Sequence, residues 1–344
     1  MKLEAWWFEN TQREEEILQL GEIMLKTHFG IYAEMEEITY PFTINVTAMR
    51  QEKEFYHKEF IIEKSEESNE QYEVDCGGGI ITFQGMPKDI VGLPDQITVE
   101  IKIQRKVYTE TISCEYARLH GKITDFNDKP FPAPVFLARV GFAGGSSMGT
   151  WSNKEGEYSV VVPKGCYNTF YVDDNTYGVK TLENWSWHMI VDRDEEYNFK
   201  VGNAEVYSLC AWSNNGGSST LFFWFRPMML PSIKQKEYEI ELHGSKRKVN
   251  DISPELELED ITVTINDISR KVISLQKVYE TGNSYTMPSY IIQTDRPVGF
   301  EAMGKQTAVV EYNTAKRSEE LGYTAQSQGR CQFFFKDACA LSLL

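Results

Sequence analysis

The chain has 344 residues and a formal net charge of −16, with 41% hydrophobic, 13% aromatic and 25% charged residues. This length predicts two or three domains, and the apolar content is typical of globular rather than disordered protein. Nucleic acid is excluded as a favoured partner because phosphate binding needs a concentrated Lys/Arg surface, whereas Lys246, Arg247 and Lys248 form the only basic cluster and lie at a polar turn.

Residues 1–113 predict one β-rich domain. A short helix is expected near its start, because Asn10 can cap a segment with Glu in the first turn and with Ile17, Leu20 and Met24 on one face. A strand over 22–29 is the competing interpretation. From Ile38 onward, polar residues alternate with β-branched or aromatic ones, a pattern typical of antiparallel strands.

Residues 114–200 predict a smaller β-sandwich with well-marked turns. Asp125 begins a turn between two strands, and Asn153 to Gly156 supply a side-chain cap and a positive-φ position between two more. Tyr158, Val160 and Val162 should then alternate onto one buried face.

The same segment carries G-x-I-x-D and P-x-G-x-Y and, between them, the residue orders Pro, Ala-x-Val and Thr, Gly-x-Tyr. The matching positions are Gly121, Ile123, Asp125, Pro130, Ala133, Val135, Thr150, Gly156, Tyr158, Pro163, Gly165 and Tyr167. In these positions the segment resembles the carboxypeptidase regulatory-like family, a transthyretin-like β-sandwich. The resemblance implies a structural or binding module without catalytic residues of its own.

A second motif overlaps this segment and favours the opposite conclusion. Gly145 to Gly149 reads G-x-S-x-G, the pattern of a hydrolase nucleophile elbow, with Ser147 as the nucleophile. An elbow needs a helix directly after the Ser, but residues 150–156 predict a turn between strands. We therefore expect no catalytic residues here and a protein that is not an enzyme.

Residues 201–344 predict a third β-sandwich. Leu221 to Phe225 are apolar at every position and predict a central strand covered on both faces. The predicted fold class is therefore all-β, with tandem antiparallel β-sandwich domains over 1–113, 114–200 and 201–344.

Aromatic and Asn/Asp-rich loops form the candidate binding site, because sugar rings bind aromatic platforms flanked by convergent polar groups. The candidates are Trp185, Trp187, His188, Trp151, Trp212, Asp173, Asp174, Asn175, Asn214 and Asn215. The competing interpretation is that these Trp residues fill cores and seams between domains. Trp185 and Trp187 lie two apart on one strand, so they should be buried or exposed together.

Neither a metal nor a cofactor is predicted. The five His residues are scattered, the acidic run around Asp192 lacks calcium-loop spacing, and the six Cys residues lack zinc-ligand spacing. The cysteines (Cys76, Cys114, Cys166, Cys210, Cys331 and Cys339) are expected to be buried free thiols.

The resulting functional hypothesis is a non-enzymatic, multidomain binding or scaffolding protein that recognises carbohydrate. One alternative is a structural protein–protein interaction module or homo-oligomer without a small ligand, and another is a carbohydrate-active enzyme with a site between domains. No signal peptide or transmembrane segment is visible, so we expect no membrane insertion and a cytoplasmic location, or secretion if a native leader precedes this sequence.

Overall fold

The computed structural model describes residues 2–9, 27–88, 90–139, 147–174, 176–214, 219–282 and 285–335. Within these residues the regular secondary structure is almost entirely β-strand, with one α-helical turn, α1 (Ser318–Leu321), and short 3-10 helices at Leu258–Asp260, Gly299–Ala302 and Ala315–Arg317. The predicted all-β fold class is confirmed. The helix predicted from Asn10 lies outside the described residues.

Two sheets packed face to face form the first unit. Its strands are β1 (Lys2–Phe8), β2 (His28–Glu34), β3 (Phe42–Arg50), β4 (Lys53–Ile62), β5 (Glu66–Ser68), β6 (Tyr72–Gly77), β7 (Ile80–Gly85), β8 (Gln96–Ile103) and β9 (Lys106–Ser113). One sheet has the order β1-β2-β7-β6-β5 and the other β4-β3-β8-β9. Alternation explains the core, because Phe42, Ile44 and Val46 of β3 are buried while the polar residues between them face outward.

The second unit follows along the chain. Its strands are β10 (Tyr116–Asp125), β11 (Pro134–Arg139), β12 (Ser147–Trp151), β13 (Glu157–Pro163), β14 (Gly165–Val172), β15 (Asn184–Val191), β16 (Glu195–Glu196) and β17 (Phe199–Val201). Strand β10 pairs with β13, β16 and β17, and strands β12-β11-β14-β15 form the facing sheet.

The turns predicted in this unit are confirmed. Asp125 Oδ1 accepts hydrogen bonds from the backbone N–H groups of Asn127 and Lys129, at 2.8 and 2.9 Å. Asn153 Oδ1 accepts from Glu155 and Glu157, and Gly156 has φ +76°. Both turns are therefore closed by the side chains that the sequence singles out.

The third unit contains β18 (Ala204–Trp212), β19 (Thr220–Met229), β20 (Lys236–Leu242), β21 (Ser245–Asp251), β22 (Ile261–Ile265), β23 (Ile268–Arg270), β24 (Val272–Thr281), β25 (Thr286–Asp295), β26 (Gln306–Asn313) and β27 (Gln326–Phe333). Strand β19 is central in the sheet β18-β19-β25-β24, as predicted. Phe223 and Phe225 are buried in the core, whereas Phe222 and Trp224 on the other face are only half-buried. The sequence predicted that both faces of β19 are covered, but its outer face is only partly covered.

The second and third units share one sheet. Strands β15 and β27 pair in parallel, with Ser186 opposite Arg330 and Trp187 opposite Cys331, and this pairing joins an eight-stranded sheet of order β12-β11-β14-β15-β27-β26-β22-β23. Phe170, which lies opposite Ser186, belongs to the second core, whereas Trp187 and Cys331 pack in the third. Because successive residues of a strand point to opposite faces, the two cores lie on opposite sides of the shared sheet.

The first strand connects the first two cores in the same way. Trp7 of β1 packs in the first core, while Trp6 and Phe8 pack in the second. Gly30 makes room for this arrangement, because a Cβ at Gly30 would lie 2.3 Å from the Trp6 ring. The three cores are therefore joined by shared strands and not only by linkers.

Candidate functional site

Aromatic side chains form a row across the shared sheet, which we call the aromatic ladder. It consists of Phe136, Tyr171, Trp185, Trp187 and Tyr207. Strand register creates it, because Phe136 lies opposite Tyr171, Tyr171 opposite Trp185, and Trp187 follows two residues later on the same face. The ring centroids are 5.2, 4.4, 5.0 and 5.1 Å apart in that order.

The ladder leaves few ring faces free. Trp185 is stacked between Tyr171 and Trp187, with interplanar angles of 26° and 21°. Tyr207 meets both Trp rings edge-on. Trp185 and Trp187 are both half-buried, so the prediction that they share one environment is confirmed. A sugar that stacks on an aromatic ring needs an open face, and Trp185 already stacks on two neighbouring rings.

Arg226 ends the ladder in the third unit. Its guanidinium lies 4.6 Å from the Tyr207 ring centroid and 5.5 Å from that of Tyr285. Its Nη1 also donates a hydrogen bond to Glu280 Oε2 at 2.8 Å. The cation is thus held by two rings and one carboxylate and is largely buried.

Two carboxyl groups from different units meet beside the ladder. Glu183 precedes β15, and Glu205 lies on β18 with only 1% of its surface exposed. Burial and, second, the charge of the neighbouring Glu183 carboxyl raise the pKa of Glu205 to about 8. Burial also raises the pKa of Glu183 to about 7, assisted by the charge of Asp173. The pair therefore holds at least one proton at neutral pH.

Of the predicted polar ligands that the structure describes, only Asp173 lies beside this pair. Asp174 is used within its own loop, where Oδ1 accepts hydrogen bonds from the Thr176 backbone N–H at 2.9 Å and from the Thr181 hydroxyl at 2.8 Å. Asn175 lies outside the described residues. His188 is exposed with φ +56°, so it leaves the row of the two Trp residues instead of extending it.

The remaining candidates lie on two different sheets. Trp151 is half-buried on the edge strand β12. Trp212 is 39% exposed at the end of β18 and stacks on Phe222 at 5.5 Å and 14°. Asn214 is exposed beside it, and Asn215 lies outside the described residues. The predicted residues therefore lie on several strands and loops and do not converge on one pocket.

Sequence reasoning missed Tyr171, Tyr207, Glu183, Glu205 and Arg226. Each carries only a local signal, namely its place in an alternating strand or beside one. Their proximity follows from the parallel pairing of β15 with β27 and from the course of β18, which are long-range contacts without a sequence signature.

A lysine makes a second polar link between the units. Lys305, just before β26, is largely buried and donates hydrogen bonds to the Ile190 carbonyl at 2.9 Å and to Asp192 Oδ1 at 2.8 Å. It also contacts Glu195, whose side chain is 15% exposed. The acidic run around Asp192, which lacks calcium-loop spacing, thus supplies ion-pair partners for a lysine of the third unit.

The structure shows the surroundings of Ser147 and of five of the cysteines. Ser147 begins strand β12, and the chain continues through a turn into β13 with no helix, so the nucleophile-elbow geometry is absent here. Cys76 and Cys331 are buried free thiols as expected, whereas the free thiols Cys114 and Cys210 are only half-buried. Cys166 is exposed, because its side chain points away from the core on β14. Cys339 lies outside the described residues.

The described residues contain neither a cluster of metal-ligating side chains nor a helix that could span a membrane. Among the described residues, no group of three or more His, Cys, Asp or Glu side chains is arranged to hold a metal ion. In the same part of the chain, every helix is too short or too polar to cross a bilayer.

Comparisons with known proteins give only remote likenesses. No protein-family model matches the chain, and no curated protein matches it. Among solved structures, it is similar to the group B streptococcus pilus 2b backbone protein, with 9% identity over 51% of this chain and 92% of that one and a TM-score of 0.19. It is also similar to a streptococcal ancillary pilin, at 8% identity over 63% and 89% with a TM-score of 0.20. BcpA, the major pilin subunit of Bacillus cereus, matches at 10% identity over 63% and 69% with a TM-score of 0.20.

Proposed function

We propose that this chain is a non-enzymatic structural protein whose joined β-sandwiches hold a fixed surface for a second copy of itself. The observation that carries this proposal is the eight-stranded sheet shared by the second and third units. Domains of one chain usually move relative to each other unless a large apolar interface prevents it. A shared sheet, together with strand β1 in two cores and Lys305 across the seam, favours a rigid body.

The strongest candidate for the contact surface is the outer face of the sheet β18-β19-β25-β24. Trp212 and Phe222 stack there, and Trp224 and Ile291 are half-buried in the neighbouring row. Protein interfaces are enriched in Trp, Tyr and Phe, and a β-sheet presents them as a flat patch. Trp212 is more exposed than the rings of the ladder, which makes it the best anchor.

Sedimentation velocity over a range of protein concentrations tests this proposal. We expect a monomer–dimer equilibrium that Trp212→Ser weakens, with Trp151→Ser as a matched control at the far end of the shared sheet. Because each copy carries a net charge of −16, dimerisation should strengthen as added salt screens the repulsion. A single monomeric species at every concentration and salt level would reject the proposed self-association.

Carbohydrate recognition stays a prediction, and the ladder geometry argues against Trp185 as its platform. A thermal-shift screen against mono- and oligosaccharides decides the question, since a ligand that binds only the native state raises the melting temperature. From the stacked rings we expect no shift that depends on Trp185 and Trp187. A dose-dependent shift that is lost in Trp185→Ala with Trp187→Ala would instead establish sugar binding at the ladder.

The family resemblance of residues 114–200 also remains a proposal. The closed turns at Asp125 and Asn153 and the buried alternation of Tyr158, Val160 and Val162 support it. The family supplies no catalytic residues, so it is compatible with a structural role.

A further inference from the structure

The Glu183–Glu205 pair places two acids together at the junction of two units. Glu205 projects from β18 on the side opposite Val206, which packs in the third core. Its Oε2 atom is buried and has no hydrogen-bond partner among the described residues. Glu183 lies two residues before Trp185 and Glu205 two residues before Tyr207, and these two rings meet edge-on at 5.6 Å, which places the two carboxyl groups side by side at the end of the ladder.

The groups around the pair are mostly acidic or neutral. Asp173 follows β14, Tyr177 stands in the next loop, and both interact electrostatically with Glu183. Strand β18 adds Tyr207, and strand β26 adds Tyr312, whose hydroxyl donates to the Glu205 backbone carbonyl at 3.0 Å. The cation on the adjacent strand β19, Arg226, is paired with Glu280.

Elementary electrostatics limits the charge that this site can hold. Two neighbouring carboxylates cannot both ionise at low cost, and burial adds a desolvation penalty for each charge. One shared proton converts the repulsion into a hydrogen bond between a carboxylic acid and a carboxylate. The pair therefore attracts when protonated and repels when both groups are ionised.

We propose that Glu183 and Glu205 form a proton-dependent latch between the second and third units, closed while they share a proton and loosened when both are ionised. This inference does not depend on the proposed self-association, because the latch acts within one chain. When the latch loosens, the loop over 176–182 should become more mobile; in this loop Tyr177 is 48% and Val179 71% exposed. That loop is tied to the junction by a 3.3 Å hydrogen bond from Leu182 N to the Gly202 carbonyl.

The sign of the pH dependence follows from the protons bound. Between the ordinary Glu pKa of 4.5 and the raised values of about 7 and about 8, the folded chain binds more protons than the unfolded chain. The stabilising contribution is complete below the ordinary pKa and falls as pH rises through this window. Above the raised values the loss is complete and the profile should level off.

Thermal unfolding of the full chain from about pH 5 to about pH 9 tests the latch. Glu205→Gln cannot ionise and keeps the shape of the side chain. We expect the melting temperature of the unmodified chain to fall by at least ~3 °C more than that of this variant across the window. Glu239→Gln, an exposed carboxyl on β20, is the matched control for removal of one charge and should keep the unmodified profile. Parallel profiles for the unmodified chain and Glu205→Gln would overturn the proposal.

Two further readouts keep the test decisive if the variant folds poorly. In the unmodified protein, carbon NMR of labelled Glu carboxyls should show two that titrate well above the rest. Trypsin cleavage at the exposed Lys180 should also accelerate with pH, relative to a matched peptide substrate at each pH. A titration in which every Glu carboxyl ionises below about pH 6 would refute the latch.

Discussion

At the scale of single residues, Gly30 shows how one missing side chain lets two cores meet. The Trp6 ring lies where a Cβ at Gly30 would stand, at 2.3 Å. Gly30→Ala should therefore displace Trp6 and reduce the free energy of unfolding by about 1–3 kcal/mol, as overpacking commonly does. Denaturant unfolding followed by Trp fluorescence measures this loss.

Gly77→Ala is the control for that experiment. Gly77 ends strand β6 in the same sheet, and a Cβ there would have nothing within 4 Å. It should change stability by less than about 0.5 kcal/mol. Equal losses at both positions would show that β-propensity matters here and that contact with Trp6 does not.

Asn153 tests a residue whose role the sequence already indicates. Its side chain accepts backbone hydrogen bonds at 3.0 and 2.9 Å within the turn between β12 and β13. Asn153→Ala should cost about 1 kcal/mol in chemical denaturation because both N–H groups lose their acceptor. Lys154→Ala, in the same turn, removes only an exposed ion pair and should cost far less. A larger effect at Lys154 than at Asn153 would contradict the assigned role.

At the scale of elements, Lys305 joins the entry of β26 to the end of β15. Replacement by Met keeps most of the packing but leaves Asp192 and the largely buried Glu195 without this cation. We expect Lys305→Met to lower the free energy of unfolding by about 2 kcal/mol, as for the loss of hydrogen bonds to charged groups, because Glu195 keeps its ion pair with Arg193 and Asp192 is half-exposed. Lys236→Met is the control, because its ion pair with Glu255 is solvent-exposed. Similar losses for the two variants would mean that the seam does not depend on this ion pair.

The elements themselves divide into those that local pattern predicts and those that it does not. Strand β13 and its flanking turns follow from alternation and turn chemistry, and the structure confirms them. The ladder could be predicted only in part. Trp185 and Trp187 share a face by sequence spacing alone, but Tyr171 and Tyr207 reach them through strand pairing and packing.

At the scale of the whole molecule, the shared sheet predicts linked unfolding of the second and third units. Differential scanning calorimetry should show one transition for both, because breaking the β15–β27 pairing exposes both cores. Lys305→Met should shift that transition as a whole and should not split it. Two well-separated transitions, one of which does not respond to Lys305→Met, would argue for independent units.

The sequence by itself determined the all-β class, the turns at Asp125 and Asn153, the central position of β19 and the common face of Trp185 and Trp187. These features depend on alternation and on turn residues, which act over a few positions along the chain. Only the tertiary structure decided that Trp185 stacks on two neighbouring rings, that Glu205 lies beside Glu183 and that one sheet serves two cores. Those features depend on contacts between residues that are distant in sequence. Strand register decides which side chains meet, and burial shifts the pKa values of the groups that meet, so local spacing does not predict them.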